Sequence, residues 1–170
     1  KSEFASCLMP SWFLGRNPKL KIIQATMNTE LAVRFGRKVR DLIADPLYRE
    51  IFPNTDLKPD SQAAGRWETS AGGEYFAAGV GAAMTGRGAD LLIIDDPHSE
   101  QDALSSTAYD NAWEWYTSGP RQRLQPGGSI IIVQTRWSKK DITGRLLQAQ
   151  QKDLMADQWD VVEFPAIMPS

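Results

Sequence analysis

The stretch Leu91-Leu92-Ile93-Ile94-Asp95-Asp96 determines how the fold of this chain is interpreted. Four consecutive apolar residues are typical of a strand that is covered on both faces of a sheet. A second run of this kind, Ser129-Ile130-Ile131-Ile132-Val133, lies further along the chain. We therefore predict that both runs form strands in a mainly parallel sheet and that both lie centrally in it.

The patterns around these two strands alternate between helix and strand, which is the order expected of an α/β protein. Apolar residues at helical spacing predict helices at about 2–14, 29–44, 105–116 and 140–151. Proline at position 10 should kink the first of them, because it removes a backbone donor. Period and composition predict strands at 20–26 and at 160–164, the latter near an edge, and a hairpin over 66–80. The polar, proline-containing segment 53–64 is predicted to be a surface loop.

Composition indicates one soluble domain and limits the classes of partner. The chain has 170 residues and a formal net charge of -2, which is not the overall charge of a nucleic-acid binder, so any DNA contact must be local. A basic run on the second helix could touch phosphates, but solvated helix faces look the same, and we assign it no DNA site: Arg34, Arg37, Lys38 and Arg40. No apolar run approaches the roughly 18 residues that cross a bilayer, and the start lacks a signal-peptide pattern. We predict a cytoplasmic protein without a membrane contact.

Several residues that invite a functional interpretation are predicted to be structural. The single cysteine, Cys7, excludes an intramolecular disulfide and a thiolate metal cluster, and we expect it in the core. Trp113, Trp115 and Tyr116 lie on a helix between two buried strands, where packing is the usual role of aromatic residues. His98, the single histidine, is expected to be a hydrogen-bonded structural group.

Asp95 and Asp96 are the strongest candidates for chemistry. They directly follow a buried strand, so they should lie at the carboxyl end of a parallel sheet, where such sheets bind ligands. A nucleotide hydrolase needs one carboxylate to hold Mg²⁺ and another acceptor to orient the attacking water. The alternative is that these acids merely begin a surface loop.

Three further segments fit nucleotide chemistry, and each also has a structural explanation. Lys1-Ser2 before an apolar helix matches the end of the phosphate loop Gly-x-x-x-x-Gly-Lys-Ser/Thr, although a two-residue match can arise by chance. Gln134-Thr135-Arg136-Trp137 follows the second buried strand and can sense a γ-phosphate, or can be a polar strand end. Arg87 lies in a Gly-rich turn and can stabilise a transferring phosphate, or can be solvated.

Together these segments resemble the large terminase subunit of tailed phages. The resemblance rests on the order and spacing of Thr85 to His98, Trp113-x-Trp115-Tyr116, Arg123-Leu124, Pro126-Gly127-Gly128 and Gln134 to Trp137. It covers nearly the whole chain. It implies an additional-strand (RecA-like) P-loop ATPase with a mainly parallel sheet flanked by helices. Residues 1–170 would then be part of the motor domain, with the first strand and the loop glycines before Lys1 and a separate nuclease domain elsewhere in the protein.

The resemblance also implies a role for each candidate residue. Lys1 and Ser2 would end the Walker A loop, and Asp95 would hold the magnesium ion together with Ser2. Asp96 stands where many relatives have the catalytic glutamate, although its side chain is one methylene shorter. The remaining implied roles are a coupling motif, formed by Gln134, Thr135 and Arg136, and an arginine finger, Arg87.

The implied activity is the coupling of ATP hydrolysis, with Mg²⁺, to the movement of double-stranded viral DNA into a procapsid. The implied partners are the portal of the procapsid, the small terminase subunit and further copies of the chain in a ring. The implied location is the host cytoplasm, with transient residence at the portal and absence from the mature virion. The alternatives are another P-loop DNA motor, such as a helicase or recombination ATPase, and a catalytically inactive fragment.

Overall fold

A computed structural model describes residues 1–164 of the chain, and these form one mixed α/β sheet structure with helices on both faces. The strands are β1 (Lys21–Thr26), β2 (Leu57–Ala63), β3 (Arg66–Thr69), β4 (Glu74–Gly79), β5 (Ala89–Asp95) and β6 (Leu124–Val133). The helices are α1 (Met9–Arg16), α2 (Thr29–Ala44), α3 (Pro46–Ile51), α4 (Ser106–Ser118) and α5 (Ile142–Lys152).

The strand order is β2-β3-β4-β1-β5-β6. β4, β1, β5 and β6 run parallel to one another, whereas β3 pairs antiparallel with β4, and β2 pairs antiparallel with β3. The predicted α/β class and the mainly parallel sheet are therefore confirmed, as is the predicted hairpin, which β3 and β4 form.

Two hydrophobic layers explain why β1 and β5 carry apolar residues on both of their faces. Successive side chains of a strand point to opposite faces of the sheet. Ile22 and Ile93 pack against α1 and α2, whereas Ile23 and Ile94 pack against α4 and α5. Both faces of β5 are covered and both of its edges are paired, so its predicted central position is confirmed.

The predicted central position of the second apolar run is wrong. Within residues 1–164, β6 pairs with β5 alone and forms the edge of the sheet. Ile130 and Ile132 pack against one hydrophobic layer and Ile131 against the other, which accounts for the continuous apolar run. A run of apolar side chains indicates that both faces of a strand are covered. It does not indicate whether both edges of the strand are paired.

The segment predicted as a loop at 53–64 contains an edge strand. β2 spans Leu57–Ala63 and pairs antiparallel with β3, with a register shift between Leu57 and Gln62. Pro59 and the polar side chains suggested a loop. Proline is tolerated on an edge strand, however, because its missing N–H can face solvent.

The strand predicted at 160–164 is also wrong. Asp160–Phe164 has no strand conformation, and Val161, Val162 and Phe164 are exposed. The alternation of residues in this segment suits a strand, but a strand forms only where an edge is available for pairing. β6 is the sheet edge on this side of β5, and it does not pair with this segment.

The helix α2 begins and ends as its capping residues predict. The Asn28 side chain accepts a hydrogen bond from the backbone N–H of Leu31 at 2.9 Å, which caps α2, and Asp45-Pro46 ends it. The helix α3 was not predicted; the Asp45 side chain caps it through Leu47 N–H at 2.8 Å. Among residues 1–164, no helix has both the length and the apolar character that a membrane crossing requires.

The irregularity expected at Pro10 takes the form of a widened helical turn. Phe4–Leu8 is a π-helical turn that precedes α1, and the backbone N–H of Met9 donates to the carbonyl of Phe4. A proline at position 10 has no N–H to donate to the carbonyl of Ser6, so the regular α-helical ladder cannot continue there. Turns of this kind recur at functional sites.

The aromatic residues of α4 and the cysteine belong to the core, as predicted. Trp115 and Tyr116 are buried in the layer beneath α4, and Trp113 packs against the same layer. Cys7 is 2% exposed, and burial raises the pKa of its thiol to about 11. At neutral pH the thiol is therefore protonated and unreactive.

We expect Gly36→Ala to destabilise the protein, although glycine to alanine in an exposed helix normally stabilises by roughly 1 kcal/mol. An added Cβ would lie 2.5 Å from the carbonyl oxygen of Ala64 and 3.0 Å from the Tyr75 ring. Urea unfolding should show a loss of about 1–3 kcal/mol, the range of overpacked cores. Arg37→Ala, exposed on the same helix, should change the free energy of unfolding by less than about 0.5 kcal/mol. A more stable Gly36→Ala protein would contradict this packing.

Candidate functional site

The candidate site lies where three neighbouring parallel strands end. Thr26, Asp95 and Val133 are the last residues of β1, β5 and β6, and they stand side by side in the sheet register. The carboxyl ends of parallel strands form the edge at which open α/β sheets bind ligands. The start of the chain reaches the same edge, because Ser2 contacts Asp95, the last residue of β5, and Lys1 contacts Asp96, the next residue.

The carboxylate of Asp95 is buried and held by two hydroxyl groups. Asp95 is 2% exposed. Ser6 Oγ donates to Oδ2 at 2.6 Å, and Ser2 Oγ donates to Oδ1 at 3.1 Å. Ser6 Oγ in turn accepts a hydrogen bond from Gln24 Nε2 at 3.1 Å. A carboxylate with both oxygens bonded in this way has a fixed orientation.

Ser6 and Gln24 were not singled out by sequence reasoning, although both are fully buried. Gln24 had a detectable signal, because it interrupts an otherwise apolar strand and a buried amide requires partners. Ser6 lies in the π-helical turn one helical repeat after Ser2, so the two hydroxyls point toward the same carboxylate. Both residues act on Asp95 and were missed because this contact is between distant segments.

Burial dominates the electrostatics of Asp95. Removal from water raises the pKa of its carboxyl, because the charged form loses hydration. The hydrogen bonds from Ser6 and Ser2 lower that pKa, the neighbouring Asp96 raises it and Lys1 lowers it, and the net shift is upward. A positive ion beside Asp95 would therefore stabilise its charged form strongly.

Asp96 is the more exposed of the two acids and has an unusual backbone conformation. Its φ of 44° lies in the left-handed region, which aspartate tolerates better than most residues other than glycine. The backbone is held from both sides, since Asp96 N–H donates to Val133 O at 2.8 Å and Met27 N–H donates to Asp96 O at 3.1 Å. Backbone strain that is fixed in this way is concentrated at functional sites.

One oxygen of Asp96 is shared by Lys1 and Thr135. Lys1 Nζ donates to Asp96 Oδ1 at 2.7 Å, and the backbone N–H of Thr135 donates to the same oxygen at 2.9 Å. Lys1 Nζ also donates to Thr135 Oγ1 at 2.9 Å. The structure thus brings together five of the predicted site residues in two adjoining groups: Ser2 with Asp95, and Lys1 with Asp96 and Thr135.

The remaining predicted site residues have other surroundings. Within residues 1–164 the buried amide atoms of Gln134 have no hydrogen-bond partner, so this side chain retains unused bonding capacity next to Thr135 in the sequence. The Arg136 side chain bonds to a different acid, since its Nε donates to Asp141 Oδ2 at 3.1 Å. Their predicted contacts with nucleotide stay predictions.

Arg87 is not brought to this group. Its guanidinium forms an ion pair with Glu74 and lies over the Phe76 ring, 4.0 Å from the ring centroid. Glu74 is the first residue of β4 and stands beside Lys21, the first residue of β1, so Arg87 lies at the amino ends of the parallel strands. Asp95 lies at the carboxyl ends of these strands, so the two residues are at opposite ends of the sheet. In this arrangement Arg87 cannot reach the acids of its own chain.

His98 is buried rather than open to the site. It is 4% exposed, and its ring lies edge-on to Tyr109 with centroids 5.0 Å apart. Burial lowers the pKa of the imidazole, although Asp141 and Asp102 act in the opposite direction. A neutral, packed imidazole fits the structural role that the sequence suggested. The hydrogen bond that we expected is not found, because within residues 1–164 the buried Nε2 of His98 has no partner.

The residues present fit a magnesium ion that arrives with a nucleotide. Among the described residues, no group of three or more His, Cys, Asp or Glu side chains lies together as a ready metal cage. Mg²⁺ bound with nucleotide needs only one or two protein oxygens, because waters and phosphates supply the rest. The Asp95 carboxylate and the Ser2 hydroxyl, 3.1 Å apart, provide such a pair.

Comparisons with protein-family models and with curated proteins give no match. Among solved structures, the chain is similar to the large terminase of HK97 bacteriophage, with 15% sequence identity and a TM-score of 0.44. The alignment covers 78% of this chain and 26% of that protein. These comparisons do not place the chain in a family, so its function has to be inferred from the residues of the site.

We expect Asp95→Asn to raise the melting temperature at neutral pH. Because the pKa of Asp95 is raised on folding, its ionisation costs stability as pH rises from the ordinary value of 3.8 through the higher value in the folded chain. The variant lacks this cost, so its advantage should be largest at pH 7 and vanish in strong acid. Thermal melting at a series of pH values measures the difference.

Asp157→Asn is the matched control with the opposite sign. The hydrogen bond from Arg121 lowers the pKa of Asp157, so the stability from this pair is present at neutral pH and is lost in acid. The control should melt slightly below the wild type at pH 7. An Asp95→Asn protein that melts below the wild type at pH 7 would show that the buried carboxylate is stabilising.

Proposed function

We propose that this chain is the ATP-hydrolysing motor domain of a phage DNA-packaging terminase large subunit, built on the additional-strand P-loop fold. The observation that carries the proposal is a pair of contacts at the end of β5: Lys1 bonds to Asp96, and Ser2 bonds to Asp95. A cation, a hydroxyl, a buried carboxylate and a second carboxylate converge at the carboxyl edge of a parallel sheet. Phosphoryl transfer from a magnesium nucleotide requires this set of groups.

The buried pair supports a role in holding the metal. Bound Mg²⁺-ATP would supply the reactive γ-phosphorus and the divalent charge that offsets its oxygens. Asp95 and Ser2 would provide the protein oxygens for the ion. Ser6 and Gln24 keep the Asp95 carboxylate in one orientation, so little reorganisation is needed when the ion arrives.

The exposed group supports a role in hydrolysis. Lys1 Nζ lies between Asp96 Oδ1 and Thr135 Oγ1, and a phosphate oxygen would compete with both for the ammonium group. With Lys1 on a phosphate oxygen, Asp96 Oδ1 would lose its contact with the ammonium group and could accept a hydrogen bond from the attacking water. The Thr135 N–H to the same oxygen at 2.9 Å keeps the carboxylate beside the Gln134 to Arg136 loop. Hydrolysis and the conformation of that loop would then be linked.

The assignment to packaging, rather than to another motor, rests on sequence. The order and spacing of three segments resemble those of large terminases: Thr85 to His98, Pro126-Gly127-Gly128 and Gln134 to Trp137. Double-stranded DNA, a procapsid portal, a small subunit and a ring of copies are the partners that this assignment entails. Arg87 would act on the nucleotide of a neighbouring copy, because it cannot reach the acids of its own chain.

Asp96→Asn should lower kcat for ATP hydrolysis by about 10²-fold or more, since it removes the group that accepts the proton of water. Asparagine tolerates the left-handed backbone at this position, so the fold should be kept. Asp96→Glu should retain activity, because it restores the longer carboxylate found in many relatives. Phosphate release with Mg²⁺, and with EDTA as control, measures both variants. Undiminished hydrolysis by Asp96→Asn would remove Asp96 from the reaction.

A packaging assay separates this proposal from its alternatives. The protein should support ATP-dependent uptake of double-stranded DNA by purified procapsids, and Asp95→Ala should abolish both uptake and Mg²⁺-dependent hydrolysis. Duplex unwinding without uptake would favour a helicase-type motor and leave the ATPase assignment intact. Failure to bind ATP in equilibrium dialysis would contradict the ATPase assignment and favour a catalytically inactive fragment.

A further inference from the structure

The carboxylate of Asp141 joins the loop after β6 to the start of α5. Asp141 is completely buried. Its Oδ1 accepts the backbone N–H of Gly144 at 2.7 Å and so caps α5. Its Oδ2 accepts from Arg136 Nε at 3.1 Å and from the backbone N–H groups of Trp137 and Ser138, each at 3.2 Å. One oxygen therefore serves the helix, and the other serves the loop.

This loop is the segment that carries Thr135 into the candidate site. Thr135 contacts Asp96 through its backbone N–H and Lys1 through its hydroxyl, and the next residue, Arg136, contacts Asp141. Asp96 therefore holds Thr135 directly on the side of the sheet. Asp141 holds the residues that follow it, 136–138, on the side of the helix. A helix cap alone does not require three loop donors on the second oxygen.

Hydrogen bonds to the Asp141 carboxylate and close packing hold the loop after β6 firmly against α5. Burial alone would raise the pKa of Asp141, but hydrogen bonds from the backbone of Gly144 and Ser138 and from Arg136 outweigh it and lower the pKa. An added Cβ at Gly144 would collide with the Lys139 carbonyl and lie 3.0 Å from Arg136 Nη2. The loop therefore lies directly on the first turn of α5, with no room for a larger side chain.

We propose that Asp141 is a positioning residue that holds Thr135 in the place that ATP hydrolysis requires. The proposal rests on the proposed function, because it assigns Asp141 a role in that reaction. Asp141 does not touch Lys1, Asp95 or Asp96, and it acts through the backbone of residues 136–138. It also fixes α5 relative to Thr135, so a shift of the loop must be accompanied by a shift of the helix.

Asp141→Asn is the sharpest variant. Asparagine caps helices as well as aspartate does, so its Oδ1 can still accept from Gly144. Its Nδ2 is a donor and cannot accept the hydrogen bonds of Arg136, Trp137 and Ser138. We expect kcat to fall about 10- to 100-fold, the cost of a displacement of about 1 Å at a catalytic group, while KM for ATP stays nearly unchanged.

Two further variants separate positioning from simple stability. Asp45→Asn is the matched control, because Asp45 caps α3 through Leu47 N–H and contacts no site residue, so kcat should be unchanged. Gly144→Ala displaces the loop without altering charge and should reduce kcat as Asp141→Asn does. Hydrogen exchange at the amides of Thr135, Trp137 and Ser138 should accelerate in Asp141→Asn even without nucleotide.

The outcomes distinguish the two proposals. If the wild type hydrolyses ATP and Asp141→Asn does so at the same rate, Asp141 has no positioning role and the ATPase assignment stands. If kcat falls only in proportion to the folded fraction seen in thermal melting, Asp141 is a structural cap and the inference fails. If the wild type neither binds nor hydrolyses ATP, the proposed function fails and this role fails with it.

Discussion

The hydrogen bonds between Asp95 and the first helical segment are the contacts on which the site depends. A buried carboxylate is costly unless its oxygens have partners, and Ser2 and Ser6 supply them. To do so, the start of the chain must pack against β1 and β5, and this packing brings Lys1 to Asp96. The groups of the candidate site therefore converge because a single buried charge must be satisfied, while hydrophobic packing sets the sheet that carries it.

Much of the fold could be predicted from the sequence, and the errors in the strands share a physical cause. Apolar periodicity reports which faces are covered, so β1, β5 and the helices α2 and α4 were predicted close to their observed bounds. The pairing of a strand's edges, by contrast, leaves no pattern in the sequence. For that reason β6 was placed centrally, β2 was taken for a loop, and a strand was expected at 160–164.

The candidate site could be predicted in part. Polar residues directly after buried parallel strands lie at one edge of the sheet, so Asp95, Asp96 and Thr135 are expected close together if their strands are neighbours. The pairing of β5 with β6 meets that condition. Residues that support them from within other elements carry no such positional signal. Ser6 and Asp141 look like an ordinary helical serine and an ordinary helix cap until the elements are packed.

The widened turn at Phe4–Leu8 also sets the direction, around the helix axis, in which the side chains of Lys1 and Ser2 point. Each residue of a helix advances about 100° around its axis, and a π turn accommodates one residue more than an α turn. Deletion of one residue here would give a more regular helix, yet it would rotate Lys1 and Ser2 by about a quarter turn away from Asp95 and Asp96. The irregularity thus serves as an angular adjustment: a less regular backbone keeps the cation and the hydroxyl in phase with the acids.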